Sequence, residues 1–131
     1  MPRQIAQIFV AAIAGGILAP ASAQTLKTGE QVYQETCLAC HASGAAGAPR
    51  FGDRLTWAPL IAEGQHVLTA HAWVGVRGMP PKGGNPTLSL EEFARATAYM
   101  AAAAGGSWRD PDSAMLKRIR REETKRLATL K

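Results

Sequence analysis

Cys37-Leu38-Ala39-Cys40-His41 decides how the rest of the chain is read. It follows Val32 and Tyr33 at helical spacing, so both sulfurs and the imidazole fall on one face of one or two helical turns. Upstream, Thr28-Gly29-Glu30-Gln31 is a capping-box pattern, a hydroxyl cap with a glutamine three residues on, which predicts a helix from about Gly29 to His41. These are the chain's 2 cysteines, so their use is the question. A lone pair in an oxidising compartment usually forms a disulfide. Spaced three apart and followed by histidine, the pair instead suggests a redox dithiol, half of a zinc site, or a haem attachment.

Zinc needs four ligands, and His66 and His71 are the remaining plausible ones, with no second cysteine pair to complete the set. A thioredoxin-type dithiol is expected between a strand and a helix, and no alternating strand pattern is found. The start of the chain favours haem. Arg3, the apolar run from Ile8 to Leu18 and the small-x-small pattern Ala21-Ser22-Ala23 form a secretory signal, predicted to be cleaved after Ala23. The apolar run is short against the roughly 20 residues needed to span a bilayer. We therefore expect a periplasmic protein with one covalent haem c, held by thioethers from Cys37 and Cys40 and ligated at iron by His41.

The best candidate for a second axial ligand is Met79, in Arg77-Gly78-Met79-Pro80-Pro81-Lys82-Gly83-Gly84. Prolines and glycines exclude regular structure here and stiffen the loop, which suits a weak thioether bond to iron. The competing reading is an ordinary gap-filling methionine. Met100 falls on the apolar stripe of a later helix and Met115 lies near the C-terminus. His/Met pairing is known in cytochromes c.

Elsewhere, Ala42 to Pro49 reads as a loop, and Trp57-Ala58-Pro59 leads into a short helical piece ending near Gly64. A helix is predicted from Gln65 to Val74, capped by Gly75. Ser89-Leu90-Glu91-Glu92 is a second capping box, opening a helix whose Leu90, Phe93, Ala94, Met100 and Ala101 share a face and which ends at Gly105-Gly106. Asp110-Pro111-Asp112 then turns into a polar helix with a thin stripe of Leu116, Ile119, Leu127 and Leu130. We divide the chain into a signal over 1–23, one domain over 24–106 and a basic tail over 107–131. Residues 24–108 carry six basic and six acidic side chains, whereas 109–131 carry eight and four, so the mature positive excess lies in the tail.

With these residues lined up, the chain resembles class I c-type cytochromes, and among them most resembles the cytochrome c5 group. The likeness runs over roughly Gly29 to Gly105. It rests on Val32-Tyr33, Cys37-Leu38-Ala39-Cys40-His41, Gly47-Ala48-Pro49, Gly52-Asp53, Trp57-Ala58-Pro59, Gly75, Met79-Pro80-Pro81-Lys82-Gly83-Gly84-Asn85 and Ala98-Tyr99-Met100. Members of that group often carry a second cysteine pair after the Gly-Gly-Asn segment; here Asn85-Pro86-Thr87-Leu88-Ser89 stands instead. The resemblance implies an all-α fold of about four helices around one haem, with the basic C-terminal helical tail outside the pattern. It also implies that Trp57 packs close to the haem, and Arg54 or Lys82 near its edge, against plain core burial and solvated charge as the alternatives. His66 and His71 read as surface side chains.

The expected function is single-electron transfer between redox protein partners, not enzymatic catalysis by the chain alone, because a His/Met-ligated iron offers no open position. The alternative is an electron-accepting subunit of a periplasmic oxidoreductase complex, for example one oxidising a sulfur compound, or a partner of a terminal oxidase, with the tail docking on an acidic protein surface or anionic membrane. The other reading of the tail is a solvated or disordered basic end. Nucleic acid is not expected among the partners.

Overall fold

The computed structural model describes residues 23–131, so all but the last residue of the expected signal lie outside the described residues. Thr28 caps the first helix as the pattern predicts: its hydroxyl accepts from the Gln31 N–H at 3.2 Å while the Gln31 side chain accepts from the Thr28 N–H at 2.9 Å. Helix α1 then runs over 29–41, but not as one regular helix. Between the α-helical ends Gly29–Val32 and Leu38–His41, residues Tyr33–Cys37 form a π-helical segment in which Leu38 N–H donates to the Tyr33 carbonyl, five residues back. Sequence spacing does not announce such a segment, and π-bulges occur frequently at functional sites.

Helix α2, Arg54–Ala62, begins earlier than the Trp57-Ala58-Pro59 pattern suggests. Asp53 is its cap, accepting from the Thr56 N–H at 3.2 Å and the Thr56 hydroxyl at 2.6 Å, and exposed Pro59 lies inside the helix. Helix α3, Gln65–Val74, matches its expectation, and Gly75 ends it at φ 105°, open to glycine and costly for other residues. Helix α4, Leu90–Ala103, starts at the second capping box and buries Leu90, Phe93, Ala94, Met100 and Ala101 together. Its one buried polar side chain on that stripe, Thr97, donates to the Phe93 carbonyl at 3.0 Å.

Helices α1 and α4 cross against one another, and the approach requires glycine: a Cβ on Gly29 would overlap the Arg95 carbonyl oxygen. Tyr33, Phe51 and Tyr99 close the crossing with ring centroids 4.6 to 5.7 Å apart.

Helix α5, Ser113–Thr129, is capped by Asp112 and lies along α3. The reading of this segment as a solvated or disordered end is corrected here. Ile119 is fully buried and joins the core, and Leu116 and Met115 pack against that core. Leu127 and Leu130 remain exposed, so only the first half of the stripe is used. Among the described residues no strand forms beyond an isolated bridge between Val76 and Met79, and no helix is long and apolar enough to cross a membrane.

Candidate haem-binding site

The π segment ends on Cys37, which is buried, while Cys40 three residues on is exposed and His41 is buried again. The two sulfurs are free thiols on one stretch of helix. His41 is fixed twice. Its Nδ1 lies 2.8 Å from the Pro49 carbonyl oxygen, and its backbone carbonyl accepts from the Phe51 N–H at 2.7 Å. A carbonyl only accepts, so Nδ1 carries the proton and Nε2 keeps the lone pair that a metal needs. Between these two anchors, the Arg50 carbonyl accepts from Trp57 Nε1–H at 3.0 Å. Three consecutive residues, Pro49 to Phe51, thus orient both His41 and buried Trp57.

Met79 sits half-buried beyond a two-residue turn in which Val76 and Met79 exchange backbone hydrogen bonds of 3.1 and 2.9 Å. Non-glycine residues on either side of it occupy the left-handed region, Arg77 at φ 51° and Lys82 at φ 56°. Such strain is held only where surrounding structure imposes it, and it clusters at functional sites. The loop lies against the Cys-His helix at one end and against the loop that follows that helix at the other. Asn85 Nδ2 donates to Thr36 Oγ1 at 3.1 Å, next to Cys37, and a Cβ on Gly83 would meet Thr36 Cγ2 at 3.3 Å and Met79 Cε at 3.9 Å. At the other end, a Cβ on Gly78 would meet the Ala46 carbonyl oxygen at 3.2 Å, in the loop after His41. Thr36 and the Asn85 side chain position this loop as Pro49 positions His41; Pro49 and Asn85 lie in segments that carry the resemblance, but their partners cannot be read from residue type.

His66 and His71 belong to a different neighbourhood. His66 Nδ1 accepts from Arg118 at 3.0 Å, and His71 lies 4.0 Å from Glu63 and 3.8 Å from Glu122. Among the described residues no three His, Cys, Asp or Glu side chains gather where they could hold a metal ion, which removes the zinc reading. The dithiol reading lacks its strand-to-helix setting among the described residues, and burial, reinforced by Cys40, pushes the Cys37 thiol up to about 11, away from the depressed thiols of redox pairs. The surface hollows lined by Tyr99 and Trp108 and by Leu26 and Thr87 include none of Cys37, Cys40, His41 or Met79. Two unpaired thiols, one imidazole of fixed tautomer and a thioether on a clamped loop form a donor set that fits a covalently attached haem.

Comparison with known proteins agrees. The family described as cytochrome C oxidase, cbb3-type, subunit III matches residues 24–100. Cytochrome c-555 of Chlorobaculum thiosulfatiphilum is 43% identical over 76 residues, 55% of this chain and 88% of that protein. Cytochrome c5 of Ectopseudomonas mendocina is 32% identical over 76 residues, 56% of this chain and 87% of the relative. A chain in the crystal structure of an electron transfer complex of nitrite reductase with cytochrome c is 42% identical with a TM-score of 0.57, covering 61% of this chain and 99% of that one. The chain therefore belongs to the cytochrome c family that covers residues 24–100, whose members carry covalent haem c, and is a class I c-type cytochrome.

Proposed function

We propose that the protein is an exported monohaem electron carrier, its haem joined to Cys37 and Cys40 and its iron ligated by His41 and Met79. The observation that carries this reading is the 2.8 Å hydrogen bond from His41 Nδ1 to Pro49, which commits one ring nitrogen and frees the other for iron. When bound, the haem supplies a one-electron iron couple. The chain's own residues hold and orient it. Cys37 and Cys40 fix its edge, Trp57 and the buried face of α1 restrict water, and the strained loop holds the Met79 sulfur in place. With His41 and Met79 both holding the iron, no position would be open to a substrate, so the chain would act as a carrier and not as an enzyme by itself.

Export to the periplasm rests on the signal pattern over 1–23. Redox proteins are the proposed partners, in keeping with a solved relative in complex with nitrite reductase and a family described as an oxidase subunit. A second reading, a subunit of a periplasmic oxidoreductase complex, is favoured by α5. It lies beyond the family-matched residues and exposes Lys117, Arg118, Arg121 and Lys125.

Acid-acetone extraction of the denatured mature protein tests the attachment: haem mass and colour stay with the polypeptide, and Cys37→Ala with Cys40→Ala loses both. Haem that extracts freely from the wild type overturns the reading. Ferric protein shows the far-red sulfur-to-iron band, which Met79→Ala abolishes and Met100→Leu keeps; the reverse pattern moves the ligand to Met100.

A further inference from the structure

Trp73 joins three parts of the chain that share no sequence neighbourhood. It is buried in the last turn of α3. Its indole N–H donates to Glu123 Oε1 of α5 at 2.8 Å, and the other Glu123 oxygen accepts from Arg120 at 2.9 Å. Its ring meets Phe93 of α4 edge-on at 5.4 Å. Lys82 Nζ stands 4.7 Å from the ring centroid, and the Arg120 guanidinium 5.9 Å from it. Lys82 belongs to the Met79 loop, three residues past the methionine, in a left-handed conformation of φ 56°. Among the described residues the Lys82 ammonium makes no hydrogen bond or ion pair, so the indole face is its partner, while its carbonyl accepts from the Asn85 N–H at 3.2 Å within the turn. The same loop is also backed by the end of α3, where a Cβ on Gly75 would come within 3.2 Å of Pro81.

From this we infer that α5 holds the Met79 loop closed through Trp73, with Glu123 as a positioning residue for the axial ligand; the inference rests on Met79 ligating the iron. The physical chain is short. Glu123 accepts from the indole N–H and so fixes the ring with its face toward Lys82. That face holds Lys82, and Lys82 keeps the strained turn Pro81–Gly84 folded beside the Met79 side chain. A thioether–iron bond is weak, so the fraction of time the loop is open is set by contacts of this kind. Helix α5 lies outside residues 24–100, so this brace is an addition to the part of the chain that matches the family.

Imidazole binding to the ferric mature holoprotein measures the open fraction, because external imidazole enters where Met79 leaves and its apparent affinity scales with that fraction. Glu123→Ala strands the buried indole N–H and is expected to tighten imidazole binding about tenfold. Glu123→Gln keeps an acceptor for the indole and stays close to wild type. Lys82→Ala moves in the same direction as Glu123→Ala, and the two together change affinity less than the product of the single effects, since both act through Trp73. Thr124→Ala, on the exposed side of α5, leaves binding unchanged. Imidazole affinity at the wild-type value in folded Glu123→Ala overturns the inference, as does a loss of thermal stability with no change in affinity. Should Glu123→Ala not fold, Lys82→Ala and Glu123→Gln decide alone: an unchanged affinity in Lys82→Ala overturns it. Survival of the far-red band in Met79→Ala would instead reject the ligand assignment, so the two failures are distinct.

Discussion

The imidazole of His41 and the carbonyl of Pro49 are joined by a 2.8 Å hydrogen bond that only Nδ1–H can donate. The bond reaches across a loop of eight residues and sets the tautomer before any metal is considered. With His41 as the proposed ligand, His41→Ala is therefore expected to remove one iron ligand while leaving the proposed thioether links at Cys37 and Cys40 intact. Its low-spin absorption spectrum is lost, and added imidazole restores it by filling the vacated position. A low-spin spectrum that persists in His41→Ala without imidazole would show that another residue ligates the iron.

Gly29 makes a stability prediction independent of the haem. A methyl there meets the Arg95 carbonyl of α4, a backbone atom that cannot rotate aside. Gly29→Ala should destabilise the fold by about 1–3 kcal/mol through overpacking, despite the gain in helix propensity. Chemical denaturation of the mature holoprotein measures it. The far-red band should not shift, because α1 changes at its N-terminal end, away from Cys37 to His41.

The parts legible in the sequence are those with local chemistry. Thr28 with Gln31 and Ser89 with Glu92 are complete capping boxes, and both helices start where those residues place them. The Cys37 to His41 segment carries the haem reading in residue type and spacing, and Met79 is proposed as a ligand on the composition of its loop. The start of α2 is less legible because Pro59 looks like a first-turn residue, yet it is exposed and the helix runs from the Asp53 cap through it. The π segment has no composition signal. The fate of α5 rests on Ile119, one buried residue in a polar helix, and on the Trp73–Glu123 bond between residues 50 apart. Pairings at that separation are set by how α3 and α5 dock, which no periodicity within either helix reveals.

His66 gives the α3–α5 contact a pH dependence. Burial and the nearby Arg118 hold its imidazole below the ordinary histidine value, with Lys125 and Arg121 acting the same way and Glu122 opposing. Its Nδ1 accepts a hydrogen bond from Arg118, which a protonated ring cannot do. The folded value lies below the unfolded one, so the unfolded chain takes up the proton first. The contribution is present above the unfolded value near 6.5 and is lost as pH falls through the folded one. Thermal unfolding of the mature protein between about pH 5 and 7.5 should fall more steeply on the acid side than that of His66→Gln, whose amide oxygen still accepts from Arg118. Parallel curves would mean that His66 does not contribute to this dependence.

The proposed carrier must find its partner, and its charge is unevenly placed for that task. Residues 24–108 are neutral overall and the positive excess lies in 109–131, so long-range steering toward an acidic surface depends on α5. Deleting the segment is a poor test, because it would take buried Ile119 out of the core and break the bond between Trp73 and Glu123. Charge reversal on the exposed side avoids both. Lys117 and Arg121 are exposed and make no ion pair among the described residues. Lys117→Glu with Arg121→Glu should leave the haem spectrum, the potential and the affinity for imidazole unchanged. Electron transfer to the native partner should slow several-fold at low ionic strength, and the two forms should converge as salt screens charges beyond about 10 Å near 0.1 M. Stopped-flow reduction of both forms over a salt series measures this. Equal rates with equal salt slopes would remove α5 from recognition and leave the contact to the neutral surface around the haem.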